Sequence, residues 1–559
     1  GIKALIFLGL NDGWVPQAAG GTGILSELDR EALAGSGVEL APGCRENGYI
    51  QRFYLYLIMT KPSRRLYLSY SKSRTDGGAM RPSYLVSRVM KMFPDISVED
   101  EDSRENDPAY ITSAETGISY LVEGLKKLPF GDPGEAWKEL YSWYCAQEGW
   151  SEEVVRLVDA AFASRKERGL GREISRALYG SVLENSVSRL EQFAACAFSH
   201  FVMYGLGLAP REEYVFQPVD MGNIFHRVIE VFSRRVEHSQ YTWFDLPEDI
   251  RDQWVEECVQ ETAQEYGGDI LNSSARNAYM VQRMKRIMKR TVWALTQQVK
   301  AGQFVPSNYE VSFSRVEGLD AVNIALTEED MMKLTGRIDR VDTCVDGEKV
   351  YVKVIDYKSG NTNFDMVALY YGLQLQLVVY LNAAIEMEKR VHPDKETVPA
   401  GIFYYRMQDP MLDGGREKTP EEINREILKE LRLNGLVNED PEIVKKMDRD
   451  IAKDSNVIPV SYNKDGSPSR YSSVADSAKF TRLSSFVNEK MRDIGSRILA
   501  GETEAVPYER KGRTACDYCQ YREVCGFDPK IPGTRYQRLR EYRPEEIWSR
   551  IEEEVTGWE

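Results

Sequence analysis

Apolar residues recur at every second position in some stretches of this chain and at every third or fourth in others. "IKALIFLGL" (2–10) has the run of a buried strand, and "NDGWVP" after it predicts a turn. "ENGYIQRFYLYLIMT" (46–60) predicts a helix and "RRLYLSYSKS" (64–73) a strand, which together make an α/β pattern. The acidic stretch "PDISVEDEDSRENDP" (94–108) interrupts it. Residues 109–185 read as mostly helical with Gly and Pro interruptions, and 186–301 as long amphipathic helices. Between 303 and 410 strands return as "FVPSNYEVSF", "KLTGRIDRVDTCV", "KVYVKVIDYK" and "AGIFYYRM". A single helix, "VALYYGLQLQLVVYLNAAIEME", is expected among them. Residues 411–480 read as polar, with a loop-like "NKDGSPSRYSS", and a helix at about 481–500 leads into a cysteine cluster. No internal repeat or low-complexity tract is present. The breaks predict regions 1–93, 94–185 and 186–559.

Composition narrows the class. A chain of 559 residues is too long for one core. It is 42% hydrophobic and 11% aromatic, as a globular protein is, and no run of about 18 apolar residues predicts a membrane span. The absence of a signal pattern predicts a cytoplasmic location. Gly1 stands where an initiator Met is expected, inside a strand pattern, so a piece of a longer protein is expected. The net charge of -15 excludes a protein coated in positive charge, but a basic groove within an acidic surface stays open. Two stretches could line one: "RMKRIMKR" (283–290), and residues 510–540 with eight Lys/Arg against three acids. Either also reads as a solvated face.

The stretch "VYVKVIDYKSG" (350–360) carries the chemistry. A β-branched strand ends in Asp356 and Lys358, two residues apart and therefore on one face. The preceding strand closes on "VDGE", where Asp346-Gly347 is a hairpin signal. With those two as the loop, Asp339 faces Val354, Arg337 faces Asp356, and Asp339 lies diagonal to Asp356 on the same face. Two carboxylates and an ammonium are thereby gathered. A divalent cation relieves their repulsion, and hard oxygen ligands suit Mg²⁺ or Mn²⁺. Such an ion polarises a phosphate and acidifies water, with Lys358 placed to hold that water or the developing charge. A salt bridge at a strand end is the plain alternative. Gln376 and Tyr380, four apart, share a face of the following helix and could orient the lysine or bind a substrate backbone.

Eight cysteines in a chain of this kind do not suggest a disulfide framework. Cys516-x₂-Cys519-x₅-Cys525 is a metal-binding spacing that lacks a fourth ligand. Zinc completed by His200, in Cys196-x₃-His200, and an iron–sulfur cluster on four cysteines both satisfy it.

"GRID…VIDYKSG…QLVVY" resembles the PD-(D/E)xK nuclease signature in its RecB-like form. The resemblance implies a mixed-sheet nuclease core flanked by helices, a Mg²⁺-dependent DNA nuclease activity, Asp339 and Asp356 as metal ligands, and Lys358 assisting the attacking water. It assigns Gln376 and Tyr380 to that form's Q-x-x-x-Y helix. "GNIFHRVIE" (222–230) resembles the family's first helix and makes His226 a metal ligand, and Glu310 sits where a further acid often stands. "SVSRLEQFAACAFSHFVMYGLGL" (186–208) and "TACDYCQYREVCGFD" are similar to the segments of family members that carry a [4Fe–4S] cluster. This implies Cys196, Cys516, Cys519 and Cys525 as its ligands and a staple joining the two ends of the nuclease region.

Residues 1–93 resemble the end of a UvrD-like helicase fold. The whole arrangement is similar to the AddB family of AddAB helicase–nucleases. That implies DNA and an AddA-type helicase–nuclease subunit as partners, no membrane partner, end processing for recombinational repair, cutting of the 5′-ended strand and a part in the response to Chi. "GGTGILSE" (20–27) lacks the lysine of a G-x-x-x-x-G-K-[ST] loop, so neither ATP hydrolysis nor Chi reading is expected of this chain alone. The rival readings are a non-catalytic, metal-stapled DNA-binding scaffold and a Cas4-like nuclease.

Overall fold

A computed structural model describes residues 1–17, 25–75, 77–100, 111–164, 169–211, 218–267, 271, 274–312, 319, 321–412 and 418–558. The glycine run at 20–23 and much of the 94–108 boundary lie outside them. The chain divides into two compact units, Gly1–Ala161 and Phe162–Glu559. Among the described residues no helix is long and apolar enough to cross a membrane.

In the first unit, β1 (Ala4–Phe7) and β2 (Arg65–Leu68) pair in parallel. Parallel neighbours need a crossover, and α1 (Glu27–Gly35) and α2 (Cys44–Thr60) lie between them in the chain. These match the expected strands and helix in position, but β1 is not the buried strand expected, because Ile6 and the following Leu8 are exposed. Helix α3 (Tyr84–Met92) follows, then α4 (Ala114–Lys127), α5 (Glu135–Ala146) and α6 (Ser151–Ala161). The last three pack around Leu121, Leu125, Trp137, Tyr144 and Val154. Trp137 Nε1 donates to Leu121 O at 2.9 Å, which satisfies the buried indole.

The second unit begins with α7 (Arg172–Tyr179), β3 (Val182–Ser186), α8 (Val187–Ala195) and α9 (Ala197–His200), and a single π-helical turn, Phe201–Gly205. Three long helices follow: α10 (Pro218–Glu237), α11 (Glu248–Gly267) and α12 (Ala275–Ala301). Then come β4 (Val305–Ser312), β5 (Asn323–Ala325), β6 (Met331–Thr335), β7 (Arg337–Asp346), β8 (Lys349–Lys358), α13 (Met366–Tyr370), α14 (Gln376–Val391) and β9 (Glu396–Arg406). The chain continues through α15 (Pro420–Glu430), β10 (Asn434–Asn438), α16 (Pro441–Met447), β11 (Val474–Ala475) and α17 (Ser477–Ala500). It ends with β12 (Tyr508–Arg510), β13 (Arg513–Thr514), α18 (Arg522–Cys525), β14 (Gln537–Arg538) and α19 (Pro544–Trp558).

The main sheet has six strands in the order β11-β10-β9-β8-β7-β4, and it is mixed: β8 runs antiparallel to β7 and parallel to β9. A strand inside such a sheet is buried on both faces. Val350, Val352 and Val354 of β8 enter one core with α8, α14 and α17, while Tyr351, Ile355 and Tyr357 enter the other with α10, α11 and α12. A smaller sheet, β3-β6-β5, takes a strand from ahead of residue 186.

Three expectations about this unit are corrected. The hairpin loop is Gly347-Glu348, because Asp346 pairs with Lys349. Gly347 has φ +56°, so the positive φ falls on the first loop residue, as in a type II′ turn. "KLTGRIDRVDTCV" is two strands in two sheets, β6 and β7. The expected single helix at 367–388 breaks at Gly372 (φ +81°) into α13 and α14. The polar region 411–480, in which the sequence pattern marks no strand, adds β10 and β11 to the main sheet.

Candidate active site and cysteine cage

The corrected hairpin improves the geometry of the acids. In it Val354 pairs with Val341, so partners shift by two residues from the expected register and every side chain keeps its face. The β7–β8 ladder ends at the Arg340–Ile355 pair, and its register puts Asp339 next in line with Asp356 rather than with Val354. Asp339 Oδ2 also accepts the Tyr357 backbone N–H at 2.8 Å. On the other side, Tyr309 pairs with Arg340 and Val311 with Ile338, so Glu310 of β4 stands opposite Asp339. Glu310 has φ +50°, a left-handed conformation that costs a non-glycine residue energy and that clusters at functional sites. Three adjacent strands therefore bring a carboxylate each to one place.

Helix α10 adds an imidazole. His226 Nδ1 lies 3.4 Å from Asp339 Oδ2 and 3.8 Å from Glu310 Oε1. Donor atoms of His226, Glu310 and Asp339 all fall within 4.8 Å of one another, the spacing of ligands around one ion. Asp356 is beside this trio, not in it; its Oδ2 ion-pairs with Lys358 Nζ at 2.5 Å. The expected set is His226, Asp339 and Asp356, so the acid reached only through the weaker family match, Glu310, is the one placed with His226. Arg337 closes over the other Glu310 oxygen.

Protons mark the need for positive charge here. Burial works against a charged His226, but hydrogen bonds to Asp339 and Glu310 outweigh it and raise its pKa to about 10. Burial first, and then the Asp339 charge, push Asp356 up to about 7 against the pull of Lys358. Burial likewise raises Glu310. Protons on His226 and Asp356 thus neutralise a crowd of carboxylates that one divalent cation would also neutralise. One imidazole nitrogen with carboxylate oxygens is a donor set that fits Mg²⁺ or Mn²⁺.

Lys358 is held from several directions. Besides Asp356, its Nζ donates to Gln376 Oε1 at 2.9 Å and lies 5.3 Å from the Tyr404 ring centroid. Gln376 Nε2 donates to Tyr380 OH at 2.7 Å. Gln376 and Tyr380 are thus linked to the lysine by a chain of two hydrogen bonds. Glu191, in the segment read only for Cys196, also reaches α14, and its spacing to that helix leaves no mark in the sequence.

Cys196, where α8 ends, lines one cavity of about 220 Å³ with Cys516, Cys519 and Cys525. Burial, then the neighbouring thiols, raise Cys196 to about 11 and also raise Cys516. None of the eight cysteines forms a disulfide. Among the described residues no three cysteine sulfurs come within 4.8 Å of one another. Thiols gathered around one cavity are a donor set that zinc and an iron–sulfur cluster both use. His200 does not line the cavity; its ring packs against Phe193, Tyr179 and Tyr204.

The two basic stretches are partly neutralised by ion pairs. Arg286 pairs with Asp409 at 2.6 Å, Lys289 with Glu256, and Arg510 with Asp365 at 2.7 Å and Glu541 at 2.5 Å.

Comparison with known proteins agrees with this geometry. The family model of the PD-(D/E)XK nuclease superfamily matches residues 184–526, a span that opens ahead of Cys196 and closes just after Cys525. The model of the ATP-dependent helicase/deoxyribonuclease AddB fifth domain matches residues 103–160. The chain is 40% identical over 565 residues to the B-type subunit of the ATP-dependent helicase/deoxyribonuclease of Lachnoclostridium phytofermentans, covering 99% of this chain and 47% of that protein. It is 36% identical to the protein of the same name from Clostridium acetobutylicum and 34% to that of Thermoanaerobacter sp. strain X514, covering 99% of this chain and 48% of each relative. The chain spans about half the length of the curated relatives it matches.

Proposed function

The chain belongs to the PD-(D/E)XK nuclease superfamily, and from that premise we propose that it is the nuclease-bearing part of a helicase–nuclease that hydrolyses DNA phosphodiesters at processed double-strand ends. The observation that carries the reading is the juxtaposition of the His226–Glu310–Asp339 trio with the Asp356–Lys358 ion pair.

His226, Glu310 and Asp339, with Asp356 beside them, would hold a Mg²⁺ or Mn²⁺ ion, which when bound supplies Lewis-acid polarisation of the phosphate and a more acidic water. Lys358 holds its ammonium at the edge of that cluster, where it can hydrogen-bond the attacking water or the developing phosphate charge. Gln376 and Tyr380 restrict the lysine to that position. Tyr357 N–H fixes one Asp339 oxygen, so the carboxylate is preorganised.

Cys196, Cys516, Cys519 and Cys525 would hold a [4Fe–4S] cluster, with a structural role. It would tie α8 to the C-terminal segment across a loop of about 320 residues. The proposed partners are DNA and an AddA-type helicase–nuclease subunit. The relatives are themselves named as one subunit of a helicase/deoxyribonuclease, which supports this.

The test incubates the 559-residue chain with end-labelled single-stranded DNA in Mg²⁺ or EDTA. Mg²⁺-dependent cutting that disappears in Asp356→Ala is the expected outcome. Cutting that survives Asp356→Ala assigns the chemistry elsewhere. A chain that binds DNA but does not cut it under any condition is a scaffold.

A further inference from the structure

We propose that Glu191 is a positioning residue for the nuclease site: its carboxylate caps α14 from outside the helix and so seats Gln376 against Lys358. This deepens the nuclease reading and depends on it for its link to catalysis.

The need for an outside cap follows from how α14 begins. The first amides of a helix have no acceptor within it. Usually the residue before the helix supplies one from its side chain. Here that residue is Leu375, in αR conformation, and it offers no side-chain cap. Glu191 replaces it: Oε1 accepts Leu375 N–H at 2.7 Å and Gln376 N–H at 3.1 Å. An anion at this end also meets the positive pole of the helix.

The fold presses the two elements together to allow this. α14 starts afresh because Gly372 breaks the preceding helix with φ +81°. A Cβ built on Gly372 would lie 3.3 Å from Ala194 Cβ, so the break packs directly on α8, the helix that carries Glu191. Desolvation raises Glu191 to about 7, against the stabilising pull of the two amides and of Lys358. The carboxyl is thus taken out of water to reach these donors. The second capped amide belongs to Gln376 itself, the residue whose Oε1 accepts from Lys358 Nζ at 2.9 Å. Glu191 therefore acts on the ammonium through the Gln376 side chain, in addition to the direct pull between the two charges.

The test compares Glu191→Ala and Glu191→Gln in the full 559-residue chain, since Gln keeps a carbonyl acceptor for the two amides. Cleavage is read as kcat and KM, and hydrogen exchange as protection of the Leu375 and Gln376 amides. Glu191→Ala is expected to lower kcat by roughly 10-fold or more with KM within about twofold. It should also speed exchange at those amides by about 10-fold. Glu191→Gln should restore most of both. Unchanged kcat in Glu191→Ala, equal damage from both substitutions, or parallel loss of DNA binding and thermal stability would overturn the assignment. If the unsubstituted chain cuts no DNA, the nuclease reading fails, and the exchange measurement alone then decides whether Glu191 caps α14.

Discussion

Asp339 reaches across the hairpin and accepts the backbone N–H of Tyr357, 2.8 Å away on the neighbouring strand. The bond occupies Oδ2, the same oxygen that lies 3.4 Å from His226 Nδ1. Asp339→Asn separates these two roles, because an amide carbonyl still accepts from Tyr357 while the negative charge is gone. The variant should fold with a Tm within about 3 °C of the parent. Its metal affinity should fall by about 100-fold or more, and cleavage with it. His226 should titrate at lower pH, since Asp339 is the leading group holding its proton. Calorimetric Mn²⁺ titration and NMR of the imidazole read these effects. A histidine titrating as before would show that Asp339 does not govern the site.

The same protons predict a pH dependence for metal binding. Folding raises Asp356 from 3.8 to about 7 and His226 from 6.5 to about 10. A group that binds its proton more tightly when folded stabilises fully below its unfolded pKa and loses that contribution as pH rises through the folded value. The metal-free protein should therefore lose stability from about pH 4 to 7 through Asp356 and from about 6.5 to 10 through His226. A divalent cation held by these residues would displace both protons, so its stabilisation should grow with pH. The increase in Tm caused by Mn²⁺ should be larger at pH 8 than at pH 6. Equal shifts at the two values would exclude His226 and Asp356 from the proton-linked site.

Much of this site is readable along the chain, for definite physical reasons. The period-2 pattern of Val350, Val352 and Val354 marks β8, and parity alone puts Asp356 and Lys358 on one side of it. Parity also survives the misplaced turn, because moving a two-residue loop by one position shifts partners by two. What parity does not fix is the partner itself, so the sequence pattern puts Asp339 one pair away from its place. Glu310 is legible only through family resemblance: its place beside His226 and Asp339 depends on a positive φ and on the β4–β7 register, neither of which leaves a local pattern. The break before α14 is hidden because Gly372 sits within an otherwise helical apolar repeat. β10 and β11 are hidden because short strands completed by distant partners carry little periodicity.

Lys358→Ala isolates the ammonium. Its contacts are to Asp356, Gln376 and the Tyr404 ring, so removal leaves the His226–Glu310–Asp339 trio intact. DNA affinity and Mn²⁺ affinity should stay within about threefold, while kcat falls by about 10²–10³-fold. Filter binding, metal titration and single-turnover cleavage separate the three. A variant that cuts normally would transfer the role to another cation.

The cysteine cage predicts both colour and stability. Four thiols around one cavity should carry iron and sulfide, visible as a brown protein with broad absorbance in the visible range. Cys516→Ser should remove most of the iron. Opening a loop of about 320 residues should cost on the order of 5 kcal/mol. A colourless parent holding one zinc would exclude the cluster, and a Cys516→Ser variant with full iron and an unchanged melt would exclude the staple.

Gly372→Ala probes the junction between α13 and α14. The residue has φ +81°, where a Cβ costs about 1–2 kcal/mol, and that Cβ would meet Ala194 Cβ at 3.3 Å. The backbone strain stays, and the contact relaxes as the α13–α14 break moves away from α8. Moving it lengthens the Glu191 contacts to Leu375 and Gln376 and loosens Gln376 from Lys358. The variant should melt ~2–4 °C lower and lose kcat more than DNA affinity. Combined with Glu191→Ala it should lose little more kcat than either change alone, because both act through the start of α14. Independent, multiplicative losses in the double variant would show that the break and the cap serve different ends.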